Sequence, residues 1–105
     1  MTQFEGAVPA LAQALEKRGY TVLTPVQDAV LDPKLESADL LVSAQTGSGK
    51  TVAFGMALAP TLLDGVDRLP RADAPLALVV APTRELALQV KRELEWLYAM
   101  TGAAV

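Results

Sequence analysis

The sequence predicts an α/β fold in which parallel strands alternate with helices. Two short and largely apolar runs, 38–44 and 76–81, are each followed by a helical pattern of apolar residues. Such runs are typical of strands in a parallel sheet, because helices cover both of its faces. Hydrophobic residues make up 51% of the 105 residues, and the mean hydropathy is +0.30. The length is sufficient for one small domain.

Two helices are predicted before the first strand. The pattern over 9–18 is amphipathic, with Pro9 suited to the first turn and Gly19 to the stop that follows. A second, short helix is predicted to begin at Thr24, whose side chain can cap it. Pro25 then takes the first helical position.

A further helix is predicted after each strand. The first begins at about residue 49 or 50, and Pro60 is expected to end or kink it. A surface loop is predicted over 64–75, and the last helix over 83–100. The buried stripe of that helix is predicted to consist of Leu86, Val90, Leu94 and Leu97. Two strands form a truncated sheet, so both are expected to need neighbours.

Composition excludes several kinds of site. The chain has no cysteine and no histidine, which rules out disulfides, Cys/His zinc sites, Cys nucleophiles and His general bases. The lack of cysteine fits a reducing cytoplasm, and a cytoplasmic location is expected. Residues 1–5 have neither the basic start nor the apolar core of a signal peptide. The most apolar run, 52–63, is shorter than the roughly 20 residues of a membrane helix, so no membrane partner is expected.

The charge balance bears on possible nucleic-acid partners. A net charge of −3 and a pI of about 4.8 argue against binding through a broad basic face. Contact with RNA through a few groups placed in a cleft remains open. The charge alone favours an ordinary acidic surface.

A phosphate-binding loop, AQTGSGKT, lies at 44–51 between a predicted strand and a predicted helix, which is the context this motif requires. Its glycines allow consecutive N–H groups to point into one hollow, and the helix adds unpaired N–H groups and its dipole. Lys50 can reach the β- and γ-phosphates, and the Thr51 hydroxyl can bind Mg2+. The predicted nucleotide-contacting residues of the loop are Thr46, Gly47, Ser48, Gly49, Lys50 and Thr51.

The loop alone predicts a nucleoside triphosphate but not the reaction. Small-molecule kinases, GTPases, motors and helicases all use it. A glycine-rich turn without a ligand is the alternative, and Lys50 and Thr51 after a predicted buried strand argue against it.

Two flanking segments carry a family resemblance. GYTVLTPVQ at 19–27 resembles the Q motif of DEAD-box helicases, although Leu23 stands where that motif usually has proline. APTRELA at 81–87 resembles their motif Ia, and AQTGSGKT, with its leading alanine, resembles their motif I. The chain thus resembles the first part of an ATP-dependent DEAD-box RNA helicase. The resemblance implies a partial RecA-like P-loop domain, with a Q-motif region at 1–36 and the phosphate-loop and motif Ia units at 37–105.

The resemblance also implies an adenine pocket. Gln27 would read adenine, since a carboxamide offers one donor side and one acceptor side to the base edge. Tyr20 would stack on the adenine face, and Phe4 would buttress the pocket. The alternatives are that both aromatic residues belong simply to the core and that Gln27 is a surface residue of a helix.

An RNA contact is implied at the second strand end, by Pro82, Thr83 and Arg84. A helix N-terminus offers N–H groups to a phosphate, and Arg84 adds a fork of donors. Contacts to the RNA backbone would be largely independent of base sequence. The alternative for Thr83 is a simple helix cap.

Some family motifs do not occur in the chain. It contains no Asp-Glu-Ala-Asp segment, whose carboxylate holds Mg2+ in the family, and no second RecA-like domain. The chain alone supplies the cradle, Lys50 and one metal ligand, so it is expected to lack useful ATPase and unwinding activity. It is also expected to associate with itself through open sheet edges. The alternative functions are a non-catalytic adenine-nucleotide-binding module and another P-loop NTPase or kinase, and the PTRELA-like segment and Gln27 argue against a kinase.

Overall fold

The fold is that of a computed structural model, which describes residues 4, 6–35, 37–45, 49–66 and 68–105. The helices of this described part are α1 (Pro9–Lys17), α2 (Pro25–Ala29), the 3-10 turn Pro33–Leu35, α3 (Lys50–Leu63) and α4 (Arg84–Leu97). α3 packs against both α2 and α4, and α1 packs against α4. None of the described helices has the length and apolar character needed to cross a membrane.

α1 ends in a Schellman motif, as the glycine at its end suggested. Gly19 has a φ of 94°, a backbone conformation that only glycine adopts without strain. The Tyr20 N–H donates to the Leu15 carbonyl and the Gly19 N–H to the Glu16 carbonyl, each at 3.0 Å. The predicted helix and its stop are therefore confirmed, and the backbone leading into the next segment is fixed at Tyr20.

α2 begins with a capping box. The Thr24 hydroxyl accepts from the Gln27 N–H at 3.4 Å, and the Gln27 Oε1 accepts from the Thr24 N–H at 3.0 Å. The prediction that Thr24 caps this helix is confirmed. The side chain of Gln27 is itself half of the cap, which fixes its rotamer.

α3 continues past Pro60 to Leu63, so Pro60 does not end the helix, and the other predicted outcome, a kink at Pro60, stays a prediction. Proline removes one backbone donor from the helix. The residues on either side, Ala59 and Leu63, are 0% and 3% exposed and belong to the core. Burying them stabilises the last turn more than the missing hydrogen bond weakens it.

α3 and α4 approach closely at Gly55. A Cβ atom there would lie 2.7 Å from Leu97 Cδ2 and 2.9 Å from Leu94 Cδ2, so the glycine is what permits this spacing. The buried hydroxyl of Tyr98 donates to the Gly55 carbonyl. Burial raises the pKa of Tyr98 above its ordinary value, so the phenol stays protonated and remains a donor.

α4 is shorter than predicted and buries only part of its predicted stripe. Leu94 and Leu97 are buried, Val90 is half-buried, and Leu86 is 39% exposed. A cavity of about 960 Å³ lies between the middle of the helix and segment 76–81, with Val90 and Leu94 in its lining. The stripe is therefore covered only where α4 meets α1 and α3.

Neither predicted strand is formed within the described residues. The runs 38–44 and 76–81 instead expose apolar side chains: Leu41 is 100% exposed, Leu78 88% and Val80 82%. A strand exists only when its N–H and C=O groups pair with a neighbour, and an unpaired run has no ladder to hold it. The predicted truncated sheet is thus not confirmed.

Candidate functional site

The candidate site lies where α2 meets the N-terminus of α3. Gln27 is 1% exposed, and its Nε2 donates to the Gly49 carbonyl at 3.3 Å. This hydrogen bond joins the segment that resembles the Q motif to the phosphate loop. The carboxamide is therefore held at both ends, by Thr24 on its oxygen and by Gly49 on its nitrogen.

Gly49 is the residue before α3 and has a φ of 83°. A Cβ atom at this position would lie 2.3 Å from Gln27 Nε2, well inside contact distance. Glycine is therefore required twice, by the backbone angle and by the side chain that lies against it. The structure thus gives Gly49 a definite role in bringing the two segments together.

Lys50 lies in the first turn of α3, and its Nζ donates to the Ala44 carbonyl at 2.7 Å. This bond spans the phosphate loop from its last residues to its first. Thr51 follows in the same turn and is half-buried. The predicted contacts Thr46, Gly47 and Ser48 lie outside the described residues.

The described residues of the loop fit a bound phosphate. α3 is 14 residues long, and its N-terminal N–H groups and dipole favour an anion at that end. The ammonium group of Lys50 has three donors, of which the Ala44 carbonyl takes one. No group of three or more His, Cys, Asp or Glu side chains in the described part could hold a metal ion. Mg2+ would have Thr51 as its ligand from this segment, together with phosphate oxygens.

The two predicted pocket aromatics occupy different environments. Phe4 is 0% exposed and belongs to the core cluster. Tyr20 is half-buried, and its ring lies 5.7 Å from that of Trp96, tilted by 36°. Burial, with the nearby charge of Glu93, raises the pKa of Tyr20, and Arg18 opposes this shift. Contact of either ring with adenine stays a prediction.

The predicted RNA segment lies on the surface at the start of α4. Pro82, Thr83 and Arg84 are all exposed. The Thr83 hydroxyl accepts from the Leu86 N–H at 3.1 Å, so Thr83 is the N-cap of the helix. The guanidinium of Arg84 is accessible to a ligand, and its RNA contact stays a prediction.

Two features of this region were not predicted from the sequence. The capping box that uses Gln27 could have been, since threonine followed by glutamine at the third position is its signature. The aromatic pair of Tyr20 and Trp96 could not, because the two residues are far apart in the chain and no local pattern joins them. The first fixes the side chain of Gln27 in the candidate site, and the second constrains the ring of Tyr20, which is predicted to stack on adenine.

Residues 24–105 match the DEAD/DEAH box helicase family. The chain is 49% identical over 92 residues to DEAD-box ATP-dependent RNA helicase 3B, chloroplastic, of Zea mays. This alignment covers 86% of this chain and 12% of that protein. It is 42% identical over 98 residues to the ATP-dependent RNA helicase RhlB of Vibrio cholerae, covering 92% of this chain and 22% of that one. The chain thus spans less than a quarter of each of these relatives.

Solved structures show the same similarity. The helicase Prp28 from Chaetomium thermophilum, bound to ADP, matches 100% of this chain and 26% of its own with a TM-score of 0.81 and 34% identity. S. cerevisiae Dbp5, bound to RNA and ADP BeF3, matches 97% of this chain and 26% of its own with a TM-score of 0.76 and 25% identity. The backbone thus follows that of RNA helicases, and with the match over 24–105 this chain belongs to the DEAD/DEAH box helicase family.

Proposed function

We propose that this chain is the ATP-binding N-terminal portion of an ATP-dependent RNA helicase, from its first RecA-like domain. The hydrogen bond between Gln27 and the Gly49 carbonyl carries the proposal, because it places a base-reading side chain directly beside the phosphate loop. A phosphate loop by itself has no such partner and would accept any nucleotide. In the whole protein, ATP and RNA would bind together, and hydrolysis would release them.

In the proposed binding of ATP, Gln27 and Lys50 use the hydrogen-bonding groups that their contacts within the chain leave free. The Gln27 oxygen keeps a second lone pair and its nitrogen a second proton, which would match the N6 and N7 edge of adenine once the base displaces the atoms that cover this buried side chain. The phosphates would lie at the N-terminus of α3, where Lys50 would donate its remaining N–H groups to phosphate oxygens. Mg2+ bound to Thr51 would neutralise phosphate charge.

The proposed RNA contact lies at the N-terminus of α4. The exposed guanidinium of Arg84 and the first N–H groups of the helix would bind a backbone phosphate. Since α4 packs against α3 through Gly55, the proposed ATP and RNA sites would lie at the N-termini of two helices in direct contact. Such contact suits a protein in which the two ligands influence each other.

The runs 38–44 and 76–81 are proposed to become parallel strands when neighbouring strands are present. Their apolar composition and the TM-score of 0.81 against a helicase support this proposal. Until such neighbours are present, the exposed side chains of Leu41, Leu78 and Val80 favour association between copies.

We expect the isolated 105-residue chain to form dimers or larger species. Replacing Leu41 and Val80, both highly exposed, with lysine should shift the population towards monomer, because a charge on an open edge opposes pairing. Sedimentation velocity measures this shift, and Val22→Lys is the control, since Val22 is 71% exposed outside both runs. A stable monomer for the unchanged chain would contradict the proposal.

Replacing Gln27 with alanine is expected to reduce the ratio of ATP affinity to GTP affinity by roughly 10-fold. The variant loses two hydrogen bonds to the base, each contributing about 0.5–1.5 kcal/mol. Competition of ATP and GTP against a fluorescent ADP analogue measures the preference.

The control for this change is Thr24→Ala, which removes the other half of the capping box and weakens α2 by about 0.5–2 kcal/mol. It leaves the carboxamide of Gln27 in place, so the preference for ATP should persist. An unchanged preference in the Gln27 variant would refute the proposed role of this side chain.

A further inference from the structure

The segment that carries Tyr20 is fixed at its two ends and open between them. The Schellman motif ends with the Tyr20 N–H, and the capping box begins at Thr24. Between them Thr21 and Val22 are exposed, the latter at 71%. Backbone hydrogen bonds therefore place the Cα of Tyr20 but do not determine the direction of its ring.

Trp96 of α4 constrains the ring directly, beside the packing of Tyr20 against the core cluster. Its ring lies 5.7 Å from that of Tyr20 at a tilt of 36°, within the range of favourable aromatic pairs. The indole is itself held in place, because its Nε1 donates to Glu93 Oε2 at 3.0 Å. The Arg18 guanidinium lies 5.3 Å from the indole ring and adds a cation–π contact from the end of α1.

The geometry points to Trp96 as a positioning residue that orients Tyr20 towards the nucleobase. This inference rests on the proposed function, in which Tyr20 stacks on adenine. Trp96 packs on one side of the ring, and Tyr20 stays half-buried, which leaves part of the ring accessible. Trp96 would not touch the nucleotide itself.

The physical reason is the entropy of ordering the tyrosine. A ring without a packed neighbour samples several rotamers, and binding must select one of them at a cost in affinity. Packing against Trp96 restricts the rotamers of Tyr20 when the chain folds, so nucleotide binding does not have to restrict them. Loss of Trp96 should therefore weaken the binding of the base and leave the binding of the phosphates unchanged.

Replacing Trp96 with alanine is expected to weaken ADP binding to the 105-residue chain by roughly 2- to 10-fold, the range given by one aromatic pair. Binding of inorganic pyrophosphate, which has no base, should be unchanged. The ratio of the two dissociation constants, measured by titration calorimetry, is the readout. A loss of folded protein would lower both affinities and leave this ratio where it was.

Further variants separate positioning from stability. Trp96→Phe keeps an aromatic neighbour and should recover most of the ratio, and Trp96→Leu should not, which also provides a test if the alanine variant fails to fold. Tyr98→Phe removes a buried hydrogen bond on the same helix and should leave the ratio unchanged. In a Tyr20→Ala background, Trp96→Ala should have no further effect, because the two residues act together.

Trp96 is the only tryptophan in the chain, so intrinsic fluorescence reports on it alone. ADP should change its emission through Tyr20, and pyrophosphate should not. ADP that binds more tightly than pyrophosphate, with a ratio unaffected by Trp96→Ala, would overturn this inference and leave the proposed function standing. ADP that binds no more tightly than pyrophosphate would overturn both.

Discussion

Replacing Lys50 with alanine is expected to weaken binding of ATP to this chain by about 10- to 100-fold. The ammonium group forms charge-assisted hydrogen bonds, which contribute about 1.5–3 kcal/mol each. The structure adds a second effect, because Lys50 also donates to the Ala44 carbonyl across the loop. The alanine variant should therefore lose a phosphate ligand and also the hydrogen bond that spans the loop. Titration calorimetry with ATP and with pyrophosphate measures the loss.

Pyrophosphate should be affected as strongly as ATP, since Lys50 contacts phosphate and not base. Lys91→Ala is the matched control: it removes the same charge from an exposed position on α4 and should leave both affinities unchanged. Thermal unfolding of each variant excludes a general loss of folded protein. Full ATP affinity in the Lys50 variant would show that the loop does not bind phosphate.

Replacing Gly49 with alanine is expected to destabilise the chain by about 2–3 kcal/mol and to remove adenine preference. The backbone at φ 83° costs about 1–2 kcal/mol for a residue with a Cβ atom. That Cβ would also lie 2.3 Å from Gln27 Nε2, so the carboxamide must move and its hydrogen bond to residue 49 is lost. Urea denaturation and competition of ATP against GTP measure the two effects.

The chain provides a matched glycine for comparison. Gly65 has a φ of 87°, and a Cβ atom there meets nothing within 4 Å. Gly65→Ala should therefore cost only the backbone strain, about 1–2 kcal/mol, and leave adenine preference intact. Equal effects of the two substitutions on stability and on base preference would mean that the contact with Gln27 has no influence on binding.

Local patterns predicted the helices and their caps well. The glycine stop after α1 and the caps of α2 and α4 at Thr24 and Thr83 were readable, because each depends on residues within one turn of the chain. Pro60 does not end α3, because its local preference against helix is weaker than the stabilisation from burying Ala59 and Leu63. The strands were predicted from apolar composition, but pairing requires a neighbour that composition cannot supply.

The candidate site divides in the same way. The phosphate loop and its lysine are contiguous in the chain, so their chemistry could be predicted from residue types and order. The contact of Gln27 with Gly49 spans 22 residues, and that of Tyr20 with Trp96 spans most of the chain. Such contacts depend on how helices pack, and no local spacing specifies them.

By itself the sequence predicted a phosphate-binding loop at 44–51 and showed that the chain resembles a DEAD-box helicase. The tertiary structure decided how the segment that carries Gln27 meets that predicted loop. Packing of α2 on α3 placed the Gln27 carboxamide against Gly49, in the space that a Cβ atom at residue 49 would occupy. Packing of α1 on α4 placed Trp96 against Tyr20. The physical reason is that motifs encode local chemistry, whereas the distance between two motifs is fixed only when the helices that carry them are buried against each other.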